Sequence, residues 1–195
     1  MNHNVLNKIH IINTNEYLDN NFWVCIFHNN PTKFFDNSIN KEGKIKSLIE
    51  VGCTYSSGIF PTFLVSPDQR LLVLGEYNLE NERQKYFPNY PSRCSSFYVF
   101  PNKSEMDKAI SLYNWKPVVI ANVFLNTNKP FKALKANMEI VSSIRSGNPN
   151  QIPLSDYWNC KLYDIIYPDG RKYSPILEVI IEGEVLLNEF FICNQ

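Results

Sequence analysis

The strongest constraint on the fold is the C-terminal stretch from Pro175 to Phe191, which reads Pro-Ile-Leu-Glu-Val-Ile-Ile-Glu-Gly-Glu-Val-Leu-Leu-Asn-Glu-Phe-Phe. Its aliphatic and aromatic runs predict two β-strands that turn at Glu182-Gly183 as a terminal hairpin. Successive side chains of a strand point to opposite faces, so Glu178 lies on the face opposite Leu177 and Val179. This pattern is typical of a carboxylate beside a cleft, and equally of an ordinary glutamate on a half-solvated strand.

The remaining patterns predict a mixed α+β domain that spans residues 1–195. Ser66-Pro67 reads as a turn between two strands, and Ser104 is the expected N-cap of a later helix. The predicted strands and helices do not alternate regularly, as they would in a parallel sheet. The predicted helices include Glu76–Phe87, Glu105–Asn114 and Phe131–Arg145, and the predicted strands include Ile59–Val65, Arg70–Leu74, Ser95–Phe100 and Pro117–Leu125.

The charge balance and the cysteine content indicate which cellular compartment and which binding partners to expect. Lysine plus arginine equals aspartate plus glutamate, 19 each, which argues against the broad basic surface of a general nucleic-acid binder. The five cysteines are widely spaced and form no C-x-x-C pair, as expected of reduced thiols in the cytoplasm. No apolar run suits a signal peptide or a membrane span, so we expect a cytoplasmic protein without membrane contact.

Several common chemistries lack their motifs. The seven glycines form neither a G-x-G-x-x-G turn nor a phosphate-binding P-loop. The three histidines form no H-E-x-x-H, and no cysteine cluster accompanies them, so no metal site is expected. There is also no G-x-S-x-G nucleophile motif.

Two segments together resemble a known group of proteins. Glu82–Phe100 contains Pro-Ser-Arg-Cys-Ser-Ser-Phe-Tyr, and Tyr157-Trp158 is followed by Ile176–Val185, Ile-Leu-Glu-Val-Ile-Ile-Glu-Gly-Glu-Val. These segments resemble the P-S-R-x-x-S and E-V-L-V-x-G motifs of an uncharacterised bacterial family. That family is similar to the ADP-ribosyltransferase superfamily, including the DarT-type toxins that modify DNA.

The resemblance implies a fold and an activity. The implied fold is an ADP-ribosyltransferase-like split β-sheet core with flanking helices. The implied activity is NAD-dependent mono-ADP-ribosyl transfer, in a toxin or phage-defence setting, with NAD as the substrate and no metal. The acceptor is left open between a protein and single-stranded nucleic acid.

The resemblance also implies roles for individual residues. Glu178 is the expected catalytic carboxylate, because a carboxylate can stabilise the cationic ribose that forms when nicotinamide leaves. Glu189 is a second candidate. The expected NAD-binding residues are His28, Arg93, Ser95, Ser96 and Tyr98, with Arg93 on the pyrophosphate, a serine on a ribose or on Glu178, and Tyr98 against the nicotinamide ring.

Two other functions fit the same sequence. The chain could be a non-catalytic module that binds NAD or another nucleotide on this fold. It could also be a protein-interaction module in which aromatic residues form the contact surface, although singly exposed aromatics are common on protein surfaces.

Overall fold

The computed structural model describes residues 8–26, 44–45, 67–148 and 152–193. Within these ranges the protein is a mixed α+β domain with small antiparallel sheets and helices, as the sequence predicts. The strands are β1 (Lys8–His10), β2 (Tyr17–Asp19), β3 (Phe22–Ile26), β4 (Lys44–Ile45), β5 (Phe97–Val99), β6 (Val119–Leu125), β7 (Lys132–Asn137), β8 (Ile165–Ile166), β9 (Lys172–Tyr173), β10 (Leu177–Glu182) and β11 (Val185–Ile192). The helices are α1 (Pro67–Tyr86), α2 (Lys103–Leu112), α3 (Met138–Arg145) and α4 (Leu154–Trp158).

Two sheets form the centre of the described structure. The smaller sheet has the order β5-β10-β7, and the larger sheet has the order β3-β6-β11-β4. All pairings within them are antiparallel. The two sheets are joined by β10 and β11, which follow one another in the chain, and by a bridge between Trp23 and Phe100.

The smaller sheet is buried on both faces. Val179 and Ile181 of β10 belong to an apolar cluster that also contains Ala121 and Val123 of the larger sheet. Ile180 points the other way, into a second cluster formed with side chains of α1, α3 and α4. Because side chains alternate along a strand, Glu178 lies on the same face as Ile180, the face that the helices cover.

The prediction of a terminal hairpin at Glu182-Gly183 is wrong. The two predicted strands exist as β10 and β11, but they lie in different sheets and do not pair with each other. Gly183 makes the crossing possible, since a Cβ at this position would lie 2.8 Å from Phe131 Cβ and 3.3 Å from Leu125 Cδ1. Real Cβ atoms do not approach other carbon atoms as closely as 2.8 Å.

Two predicted elements differ in type from the observed ones. The helix predicted at Phe131–Arg145 begins only at Met138, because residues 132–137 pair with β10 along its whole length. Ala, Leu and Lys favour a helix there, but pairing inside the sheet outweighs this preference. Arg70–Leu74, predicted as a strand, lies within α1, whose first residue is Pro67. Proline is favoured at that position of a helix, so the apparent turn signal is a helix start.

Of four further predictions, three can be compared with the structure. The N-cap of α2 is Asn102 rather than Ser104, because the Asn102 side chain accepts a hydrogen bond of 2.9 Å from the Glu105 amide. Ile59–Val65 lies outside the described residues. The helix predicted from Glu76 and the strand predicted at Pro117–Leu125 are confirmed, as parts of α1 and β6.

We predict that Gly183→Ala destabilises the protein by about 1 to 3 kcal/mol, the usual cost of forcing an extra carbon into a packed site. The added methyl group meets Phe131 at its Cβ, which cannot move without the backbone. Urea unfolding followed by circular dichroism measures this cost. A variant as stable as the wild type would show that the crossing between the sheets does not need glycine.

Candidate functional site

Arg93 is the centre of a buried cluster of charged side chains in the described part of the chain. It lies in the turn before β5 and is only 1% exposed. Its Nε and Nη2 donate to the two carboxylate oxygens of Glu76 in α1, at 2.7 and 3.0 Å. Its Nη1 donates to Glu178 Oε1 in β10 at 2.9 Å. Every nitrogen of the guanidinium group is therefore hydrogen-bonded within the protein.

Two tyrosines enclose the guanidinium group. Its central carbon lies 4.7 Å from the ring centre of Tyr157 and 4.9 Å from that of Tyr98, within the range of cation–π attraction. The Tyr157 hydroxyl donates to Glu178 Oε1 at 2.8 Å and also contacts Arg93 Nη1. The Tyr98 hydroxyl donates to the Arg93 carbonyl oxygen. Arg93 is thus fixed through its side chain and its backbone.

Helix packing brings Glu76 to this position. The preceding residue, Gly75, lies against α3, where a Cβ would be 3.2 Å from Arg145 Cγ and 3.3 Å from Ile144 Cγ2. This close approach lets Arg145 Nη2 donate to Glu76 Oε1. Glu76 therefore joins two arginines, one from the turn before β5 and one from the end of α3.

The cluster is balanced in charge. Glu76 and Glu178 contribute two negative charges, and Arg93 and Arg145 contribute two positive charges. Burial alone would raise the pKa of Glu76, but the charges of Arg93 and Arg145 outweigh burial and lower that pKa to about 2. Burial raises the pKa of Tyr157 well above its ordinary value. Both groups therefore hold the protonation states that the hydrogen bonds require.

Glu178 is buried, contrary to the prediction of a side chain that faces solvent or a cleft. It is 8% exposed, because α1 and α4 cover the face of β10 on which it lies. Within the described residues, both hydrogen bonds of its carboxylate are accepted by Oε1. Oε2 is the atom that remains for a further partner. A carboxylate held in this way is suited to stabilise a nearby cation or to accept a hydroxyl proton.

The structure separates the other predicted site residues. Tyr98 lies against Arg93, whereas Ser95 is exposed. Ser96 is buried, and its hydroxyl has no hydrogen-bond partner within the described residues. Glu189 is exposed on β11, in the other sheet from Glu178. His28 lies outside the described residues.

Sequence reasoning missed two members of the cluster. Glu76 and Arg145 lie in helices where charged residues are common, and nothing in the local sequence marks them. Tyr157 was part of a recognised motif but had no assigned role. The sequence feature that could have identified Tyr157 is the Tyr-Trp pair in a short helical turn. Trp158 of this pair packs in the apolar core beneath the helices.

An open groove of about 740 Å³ lies beside α2 rather than over Glu178. It is lined by one side of α2 and by the segment 172–176, which includes Lys172 and Ile176. The described residues contain no group of three or more His, Cys, Asp and Glu side chains placed to hold a metal ion. None of the helices described is long and apolar enough to cross a membrane.

A family model described as "Protein of unknown function (DUF2441)" matches residues 2–189. The match covers nearly the whole chain, so the chain belongs to this family. No curated protein matches the sequence.

We predict that the Glu76 carboxylate makes the protein acid-labile. Its pKa is lowered from 4.5 to about 2 in the folded state, so its contribution to stability is complete above about pH 4.5 and is lost as the pH falls toward 2. The free energy of unfolding in urea, measured from pH 2 to pH 6, should fall by a few kcal/mol over this range. The stability difference between the wild type and Glu76→Gln should shrink in the same range. A difference that does not vary with pH would contradict the ion pair.

Proposed function

We propose that this member of the DUF2441 family is a mono-ADP-ribosyltransferase that uses NAD as its substrate. The observation that carries the proposal is the contact between the two segments of the resemblance. Arg93 of the Pro-Ser-Arg segment donates to Glu178 of the terminal segment at 2.9 Å, although the two residues are 85 positions apart in the chain. Strand β5 begins shortly after Arg93, and strand β10 contains Glu178. These two strands are hydrogen-bonded neighbours in the smaller sheet.

The arrangement of the sheets also favours this proposal. The resemblance implies a core of two small sheets with the carboxylate beside the cleft between them. In this protein β10 carries Glu178 in the smaller sheet, and the chain passes at Gly183 into β11 of the larger sheet.

In the proposed reaction, the bond between the nicotinamide nitrogen and ribose C1′ breaks, and its electron pair leaves with nicotinamide. Positive charge develops on the ribose, and an acceptor nucleophile then forms a new bond to C1′ and releases its proton to solvent. Glu178 would stabilise that charge through its carboxylate, and Oε2, which has no hydrogen-bond partner among the described residues, would accept a hydrogen bond from the ribose 2′-hydroxyl. The ion pair with Arg93 fixes the position of the Glu178 carboxylate, which this role requires.

The contacts of Arg93 change the role that we propose for it. The resemblance implies a contact with the NAD pyrophosphate, but Glu76 and Glu178 already occupy all three guanidinium nitrogens. We therefore assign Arg93 to holding Glu178. The acceptor in this proposal is a protein or a single-stranded nucleic acid, because the chain has no excess of basic residues for general duplex binding.

A non-catalytic module that binds NAD or another nucleotide is the second candidate. It is favoured by the burial of Glu178 and by the closed set of hydrogen bonds around Arg93, which are equally suited to stabilising the fold. In this case the cluster would hold the sheet and helices together without touching a reacting atom.

We predict that Glu178→Gln slows nicotinamide release from NAD by about 100-fold or more, with NAD affinity changed by no more than about threefold. The amide keeps the shape of the side chain and can still accept from Arg93, but it lacks the charge that opposes the ribosyl cation. Nicotinamide is measured by chromatography, and NAD affinity by calorimetry.

The matched control is Glu189→Gln, which removes an exposed carboxylate of the other sheet and should leave the rate unchanged. Equal rates for the wild type and Glu178→Gln would remove Glu178 from the mechanism. Wild-type protein that binds NAD but releases no nicotinamide with any acceptor would favour the binding module.

A further inference from the structure

Helix α1 carries two buried glutamates one turn apart, and both bind the turn that leads into β5. Glu76 holds the side chain of Arg93. Glu80 Oε1 accepts from Ser92 Oγ at 3.0 Å and from Arg83 Nη2 at 2.7 Å. Both acids are buried glutamates of the same helix. Among the described contacts, Glu76 is connected to Glu178 through Arg93, whereas Glu80 is not.

The geometry of the Glu76 pair restricts Arg93 to one orientation. A guanidinium group is planar, so two parallel hydrogen bonds to one carboxylate fix its plane and its rotation. Glu76 occupies Nε and Nη2, and Nη1 is then directed at Glu178 Oε1. With a single hydrogen bond in place of two, the guanidinium could turn and Nη1 would leave Glu178.

Glu76 also sets the charge next to Glu178. With Glu76 ionised, two acids face two arginines and the sum is zero. Without the charge of Glu76, Glu178 alone faces Arg93 and Arg145, and the sum becomes plus one. A buried excess of positive charge opposes the formation of a second cation, because interactions between charges are strong where water is excluded.

We infer that Glu76 is a positioning residue for the proposed transfer reaction. Glu76 acts on Glu178 through Arg93, because it fixes the guanidinium group and neutralises its charge. The inference rests on the proposed function for its effect on rate. The fixation of Arg93 by Glu76 is a property of the protein alone, and it can be measured without NAD.

The experiment compares Glu76→Gln with Glu80→Gln as the matched control. The first readout is the nitrogen NMR spectrum of the Arg93 side chain, which reports rotation of the guanidinium. The signals of Arg93 should be separate in the wild type and in Glu80→Gln, and averaged by fast rotation in Glu76→Gln. The second readout is nicotinamide release, for which Glu76→Gln should lower kcat by about 10- to 100-fold and change KM by less than about threefold.

A second change tests the charge argument. Adding Arg145→Gln to Glu76→Gln returns the sum of charges near Glu178 to zero, so the double variant should recover part of the lost kcat. A stability role alone predicts that kcat recovers only as far as the free energy of unfolding does, so urea unfolding of both variants is measured alongside the rates. The double variant also keeps the test open if Glu76→Gln folds poorly.

The outcomes are distinct. The inference is overturned if Arg93 stays fixed in Glu76→Gln, if Glu80→Gln lowers kcat as much as Glu76→Gln does, or if the double variant is slower than Glu76→Gln. If the wild type releases no nicotinamide, the proposed function fails. The NMR comparison then still decides whether Glu76 holds Arg93 against Glu178.

Discussion

The buried charge of Arg93 is the interaction on which the rest of the described structure depends. Taking a guanidinium group out of water costs several kcal/mol, and only complete hydrogen bonding and paired charge offset that cost. Glu76 of α1, Glu178 of β10 and Tyr157 of α4 supply these contacts. Two helices and the central strand of the smaller sheet must therefore be in place together. The hydrogen bonds of the cluster need specific distances and directions between the helices and the sheet, which a purely apolar contact does not.

The crossing at Gly183 explains why the carboxylate lies where it does. Because β10 and β11 belong to different sheets, β10 is central in the smaller sheet and both of its faces are covered. Val179 and Ile181 face the larger sheet, and Glu178 faces the helices. The same chain reversal that builds the core thus places Glu178 beside Arg93, in a site with little water.

The sequence was sufficient to predict the strand that carries Glu178 and the face of that strand on which Glu178 lies. Alternation along β10 predicts the face correctly, because it depends only on local geometry. It could not predict what covers that face, since Glu76 and Arg145 come from helices whose packing depends on Gly75. The helix predicted at Phe131–Arg145 was half wrong for a related reason: pairing with β10 outweighs local preference in residues 132–137. Long-range contacts determine these features, and no local pattern reports them.

The most direct test of the account is a double-mutant cycle between Arg93→Lys and Glu178→Gln, measured as free energies of unfolding in urea. Lysine keeps the positive charge but cannot bind Glu76 with two parallel bonds while also reaching Glu178. If Arg93 holds Glu178 as the structure shows, the two changes should be coupled by about 1 kcal/mol or more, because lysine loses the geometry and glutamine loses the charge of the same ion pair. Effects that add to within about 0.5 kcal/mol would contradict the central claim.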